Sequence, residues 1–280
     1  MANSLKSSAS GSNWLRTGSW AVALGLGAAA GAYYVLKQQQ RHIERWTPYD
    51  LPFPSALLDV LAAPGGGPLT QVGRQSPRLT AANTGRTFPV IDGIPDFGGQ
   101  THPNTLELSP WYDLYRTAED LFRYALPART IPVQWLAEHA AWHARGQWCL
   151  ITPITTPAIT RLARAYPTTR FLCLDDHWPR LLEARRQTLI QRLPNVYFIH
   201  AAPGLLPLRT GSITAAFSYP GRASTPPAIA ELHRTLRAGG VLAGVTHTIT
   251  PVEAALETLP LAHYQPFQSG DTLGFLAHLP

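Results

Sequence analysis

Between Arg16 and Lys37 run 20 consecutive uncharged residues, Thr17 to Leu36, dominated by Ala, Gly and Leu. At about 1.5 Å per residue this stretch matches the roughly 30 Å hydrocarbon core of a bilayer, which predicts one membrane-spanning helix over 17–36. Trp14 and Trp20 mark one border and Tyr33 and Tyr34 the other, where amphipathic rings favour the headgroup layer. Within it, Gly27 and Gly31 form a GxxxG pair whose spacing lets helix backbones approach, so these are the candidate helix-packing residues. From Trp148 the pattern changes. Short apolar runs at Trp148–Thr152, Phe171–Leu174, Val196–His200, Ile213–Ser218 and Val241–His247 alternate with helical periodicity over Ala158–Ala165, Trp178–Arg192 and Pro226–Leu236. Such alternation predicts a doubly wound, Rossmann-like α/β domain. The last of these helices reads as capped by Ala238-Gly239-Gly240.

Length and composition add boundaries. On this reading the 280 residues divide into an N-terminal tail (1–16), the transmembrane helix (17–36), an amphipathic stub and linker (37–54), a small module (55–98), a helical connector (99–146) and the α/β domain (147–280). The chain is 45% hydrophobic and only 14% charged, enough apolar content for a packed core and little charge to cover it. Its net charge of +6 rests on arginine, since Lys6 and Lys37 are its lysines. Arginine in that excess suits lipid headgroups, RNA or an acidic neighbouring subunit. Cys149 and Cys173 fall in separate apolar runs, and no disulfide is expected of them. Residues 1–36 contain no acid, and the flanking positive charges are nearly balanced, with a slight lean toward the large domain lying on the cytoplasmic or matrix side of a bacterial or mitochondrial inner membrane.

Two segments carry a resemblance to a known module. One is Leu57-Leu58-Asp59-Val60-Leu61-Ala62-Ala63-Pro64 with the glycines after it; the other is Gly85-Arg86-Thr87-Phe88-Pro89-Val90-Ile91-Asp92-Gly93-Ile94-Pro95-Asp96-Phe97. Together they resemble the Trm112-like zinc-ribbon family, found upstream of a methyltransferase domain in some rRNA methyltransferases. The resemblance places the four zinc-ligand positions at Ala63, Gly66, Ala81 and Thr84, and none of these side chains can bind zinc. It therefore implies a zinc ribbon without zinc, which must gain stability by packing on the following domain or on another subunit.

The α/β domain in turn resembles the class I S-adenosylmethionine-dependent methyltransferases over Gln147 to His247. The residues that carry this are Leu172-Cys173-Leu174-Asp175 with Leu181 to Arg185, the stretch Ala201 to Phe217, and Ala230 to Leu242. The resemblance implies a donor site built from a glycine loop and several acids. At the three glycine positions stand Pro153, Thr155 and Pro157, and at the acid positions stand Ile151, Ala202 and Thr214. Proline removes an N–H and branched threonine crowds the approach. Of the acids only Asp175, at the ribose position, remains, a vestigial cofactor-binding candidate that with Asp176 also reads as a solvated turn at a strand end. Neither S-adenosylmethionine nor zinc is thus expected as a cofactor, no catalytic residue is assigned, and no metal ligand is expected.

Two further features weigh less. His139 and His143 share a helical face four residues apart but have no third ligand nearby, and Trp111, Tyr112, Tyr115, Phe122, Tyr124 and Trp135 read as core or partner surface. The expectation is a catalytically inactive, membrane-anchored, methyltransferase-like accessory subunit of a respiratory or photosynthetic type of membrane complex, with lipid and other subunits as partners. The alternatives are a tethered methyltransferase with a divergent pocket acting on RNA, quinone or lipid, and an RNA-binding or assembly factor.

Overall fold

A computed structural model of the chain describes residues 31–35, 52–73, 77–98, 146–152, 156–218, 225–246, 250–269 and 272–280. The chain falls into two compact units, Met1–Trp46 with Glu107–Leu126, and Thr47–Leu106 with Pro127–Pro280. Of the first, residues 31–35 are described; they are helical, with Tyr34 and Val35 exposed. The rest of the expected membrane helix, including Gly27, lies outside the described residues, as do His139, His143 and the aromatic cluster at 111–135. Among the described residues no helix is long and apolar enough to cross a membrane.

The second unit is built on a seven-stranded sheet. Its strands are β5 (Trp148–Thr152), β6 (Arg170–Asp175), β7 (Val196–His200), β8 (Ile213–Ser218), β9 (Leu236–Thr246), β10 (His263–Ser269) and β11 (Thr272–His278), in the order β10-β11-β9-β8-β5-β6-β7. Strands β5 to β9 run parallel, and β11 and β10 add an antiparallel hairpin. Every residue of β5 and of β8 is buried, as parallel strands covered on both faces require. Alternation sorts the side chains. Trp148, Leu150, Leu172, Leu174 and Ile199 enter one core, while Cys149, Ile151, Phe171, Cys173 and Phe198 enter the other. Helices α1 (Thr156–Ala165) and α2 (Trp178–Ile190) supply Ile159, Leu162 and Leu181 to the second core; α3 (Pro226–Thr235) and α4 (Thr250–Glu257) supply Ile229, Leu232 and Leu256 to the first. The two cysteines sit on the neighbouring strands β5 and β6 as free buried thiols, and burial pushes both far above their ordinary pKa.

Two sequence expectations need correction here. Gly239 does not cap α3: the helix stops at Thr235, the capping residue Leu236 is already extended (φ −74°, ψ 140°) and begins β9, and Gly239 takes a left-handed φ of 70° inside the strand span. Sheet register slips at the same place, between Ile213 and Ala215 of β8. The chain also continues past β9 into α4 and the hairpin, where no elements were expected.

The small module forms a four-stranded antiparallel sheet, β1 (Leu69–Val72), β2 (Arg78–Ala81), β3 (Thr87–Ile91) and β4 (Ile94–Pro95), after a 3-10 turn at Ser55–Asp59. Asp92 and Gly93 join β3 to β4 with φ of 52° and 72°, the positive pair that Asp-Gly supplies to a two-residue hairpin. Leu57, Leu61, Leu79 and Phe88 are buried in the first core of the large sheet, each contributing on the order of 2 kcal/mol. Ile94 belongs to the second core, so β4 reaches round the edge strand β7. Main-chain bonds fasten both ends of the module. Leu61 bridges Leu208, through Ala62 N to Pro207 O (3.1 Å) and Arg209 N to Val60 O (2.8 Å), and Asp96 bridges His200, through Phe97 N to His200 O (2.8 Å).

Candidate functional site

In an open parallel sheet, ligands bind outside the carboxyl ends of the strands where strand order reverses, which here lies between β5 and β8. The loops leaving those strands, residues 153–155 and 219–224, lie outside the described residues, and with them Pro153 and Thr155. Pro157 stands in the first turn of α1, where a missing N–H costs no helical bond. Ile151 is fully buried in the second core, Thr214 is 5% exposed on β8, and Ala202 is exposed just beyond β7.

Asp175 ends β6. Its side chain has no accessible surface, which corrects the reading of a solvated turn. The carboxylate is held by its own chain: Oδ1 accepts from the His177 N–H at 2.8 Å, and Oδ2 pairs with Arg180 Nη1 at 3.2 Å. A carboxylate two residues before the α2 terminus meets a free backbone N–H and the positive end of the helix dipole, and Arg180 lies within the first turn beyond it.

Directly across the ladder from Asp175 is His200. Its Nδ1 donates to Asp96 Oδ1 at 2.6 Å and its Nε2 donates to the Asp176 carbonyl at 3.2 Å, while the Trp178 ring meets it edge-on at 5.4 Å between centroids. Asp96 Oδ1 also accepts from the Gly98 N–H at 2.9 Å. Burial pushes the His200 pKa down, but the Asp96 bond, the Asp176 carbonyl and the charges of both aspartates outweigh it and hold the value above the ordinary one. With an acceptor at each ring nitrogen, the doubly protonated form is favoured. This pair joins the module to the sheet. Sequence reasoning missed it because its members are 104 residues apart and no spacing links them.

The four positions that the resemblance sets at zinc ligands, Ala63, Gly66, Ala81 and Thr84, lie in two turns that are hydrogen-bonded to one another. Ala63 and Gly66 lie in one tight turn, closed by Gly66 N to Ala63 O (2.7 Å) and Ala63 N to Gly67 O (3.0 Å). Ala81 and Thr84 lie in another, closed by Gly85 N to Ala81 O (2.8 Å). Ala82 N donates to Pro68 O at 3.1 Å, and the Asn83 amide donates to Gly66 O at 3.1 Å, so a side-chain hydrogen bond ties the turns. A Cβ on Gly67 would lie 2.8 Å from that amide, which shows how closely they fit. Among the described residues no three His, Cys, Asp or Glu side chains gather to hold a metal ion.

A second polar network fixes the loop after β7. Arg234 on α3 donates to Glu231 through Nε (2.9 Å) and Nη2 (2.8 Å), and to the carbonyls of Leu206 (3.0 Å) and Leu208 (2.8 Å). Glu231 also accepts from the Leu206 N–H at 2.9 Å. Burial pushes the Glu231 carboxyl up, yet the Arg234 and Leu206 bonds prevail and hold it below the ordinary value.

No protein-family model matches the chain, and no curated protein matches it in sequence. Among solved structures it is similar to S-adenosylmethionine-dependent methyltransferases. An O-methyltransferase of this kind from Thermotoga maritima is 14% identical, covering 57% of this chain and 70% of that one, with a TM-score of 0.48. A methyltransferase from Aquifex aeolicus is 12% identical over 58% of this chain and 98% of that one, with a TM-score of 0.47. A complex of the Haloferax volcanii Trm112 methyltransferase activator with a methyltransferase gives 12% identity over 52% of this chain and 88% of that one, with a TM-score of 0.44. At such identities and TM-scores no residue role is carried across.

Proposed function

We propose that this chain is a catalytically inactive methyltransferase-like protein, held at a membrane by residues 17–36, that serves as a structural or accessory subunit of a membrane protein complex. The observation that carries the reading is Asp175. The single acid left at a donor-binding position is wholly buried, and its oxygens are bonded to His177 N–H and Arg180 of the same chain. A ribose would have to break that pairing, and breaking each of these bonds costs about 1–3 kcal/mol. The other donor positions described do not fit the cofactor either, since Ile151 is a core residue and Thr214 is uncharged and buried. Support for the accessory role comes from the module. Tied to the sheet at both ends and through a shared core, it turns two small units into one block suited to presenting surface.

Calorimetric titration of the full chain with S-adenosylmethionine tests the first half. No binding is expected below millimolar concentration, and a dissociation constant tighter than about 100 µM sinks the inactive reading. Purification in mild detergent tests the second. Stable membrane partners are expected, and Gly27→Leu with Gly31→Leu should deplete them; a chain that purifies alone refutes the subunit role.

A further inference from the structure

A cleft of 690 Å³ opens between the glycine turn of the module and the loop 205–210, within the usual size range of small-molecule sites. Its charge is uneven. It is lined by two arginines, Arg209 and Arg234, and one acid, Glu231. Glu231 spends both oxygens on Arg234 and the Leu206 N–H, and Arg234 spends its donors on Glu231, Leu206, Leu208 and Thr210, so that pair is internally neutral. Arg209 is left uncompensated. Its main-chain N–H donates to Val60 O (2.8 Å) and its Nε to Leu61 O (3.1 Å), which fixes the stem while both Nη groups have no partner among the described residues.

Part of the lining is backbone. Gly65, Gly66 and Gly67 take φ of 87°, 96° and 99°, a left-handed run that side chains resist, and a Cβ on Gly65 or Gly66 would meet nothing within 4 Å. The N–H groups of Gly65 and Gly67 have no partner among the described residues. Leu205, 54% exposed, adds an apolar wall beside these donors.

We propose that this cleft binds a phosphate monoester bearing an apolar body, with the phosphate on the Nη edge of Arg209 and on the turn amides, and the body against Leu205. A guanidinium edge fixed at its stem, with unpaired backbone N–H groups lining the same cleft, suits a phosphate dianion that accepts several hydrogen bonds. The site is independent of the donor-site reading, since it lies between the module and α3, away from Asp175.

The experiment titrates the full chain in non-ionic detergent with phenyl phosphate and with inorganic phosphate, and in nanodiscs with and without phosphatidic acid. Phenyl phosphate is expected to bind with a dissociation constant below about 1 mM, and inorganic phosphate to compete for the same site more weakly. Binding stronger to phosphatidic acid nanodiscs than to phenyl phosphate assigns the monoester to a lipid headgroup; the reverse assigns it to a soluble ligand. Arg209→Gln keeps a donor for Leu61 O and removes the charge, and Leu205→Asp adds repulsion at an exposed position. Each should weaken binding at least about tenfold at an unchanged melting temperature. Should Arg209→Gln fail to fold, Leu205→Asp decides. Absence of binding to all three probes up to about 5 mM, or binding unchanged in the folded variants, overturns the proposal.

Discussion

Asp96→Ala removes the carboxylate that accepts from both His200 Nδ1 and the Gly98 N–H. His200 is 2% exposed, so water cannot replace that acceptor. A buried donor left without an acceptor costs about 1–3 kcal/mol, and a buried pair broken on one side about 3–5 kcal/mol. Because His200 without that partner can shed its proton rather than stay charged and unpaired, the expected loss is about 3 kcal/mol. Asp96→Asn keeps an acceptor oxygen and loses the charge, for about 1 kcal/mol. The sign of the pH dependence follows from the raised folded pKa of His200. The pair's contribution is complete below the ordinary value of about 6.5 and is lost as pH rises through the higher folded value. Asp96→Asn removes the charge that raises it, so its slope over this window should flatten or reverse. Urea unfolding of the full chain, followed by tryptophan fluorescence across that pH range, reads both effects. Stability of Asp96→Ala within about 0.5 kcal/mol of the parent, or an Asp96→Asn slope equal to the parent's, refutes the reasoning.

The remaining predictions concern the turns and the end of β6. Asn83→Ala deletes the bond to Gly66 O and should lower stability by about 1 kcal/mol in the same unfolding assay, since the acceptor can turn to water. Metal analysis of the purified chain should find no stoichiometric zinc; one equivalent would overturn the alignment of Ala63, Gly66, Ala81 and Thr84. Asp175→Ala should cost about 2–3 kcal/mol by stranding the His177 N–H and Arg180, and Asp175→Asn about 1 kcal/mol, which marks the carboxylate as part of the fold. Gly239→Ala should destabilise by about 1 kcal/mol, because its φ of 70° admits glycine more easily than any residue with a Cβ.

The parallel strands were legible because burial on both faces writes them as unbroken apolar runs. The spans expected for β5, β7 and β8 coincide with those observed, and those for β6 and β9 overlap them. Where burial is one-sided the signal fades. Strand β10, His263-Tyr264-Gln265-Pro266-Phe267-Gln268-Ser269, is a largely exposed edge whose proline argues against a strand. Gly239-Gly240 misled for a different reason: a glycine pair after a helix suits a cap or a bulge equally, and only the register of β8 against β9 separates them. At the site, the position of Asp175 at a strand end was legible, whereas its burial depends on Arg180 and α2 closing over it. The Asp96–His200 pair and the Arg209 cleft depend on tertiary packing between segments over 100 residues apart, which leaves no period in the sequence.

The same separation governs how the chain can be made. The module leaves the ribosome before the large sheet, and its partners at His200 and Arg209 follow 104 residues after Asp96 and 148 after Leu61. At about 5–20 residues per second, synthesis alone imposes a delay of roughly 5–30 s before either tie can form. Throughout it Leu57, Leu79 and Phe88 lack the sheet that buries them. The module must wait for those two ties, so the nascent protein is most open to chaperone binding or misassembly in that interval.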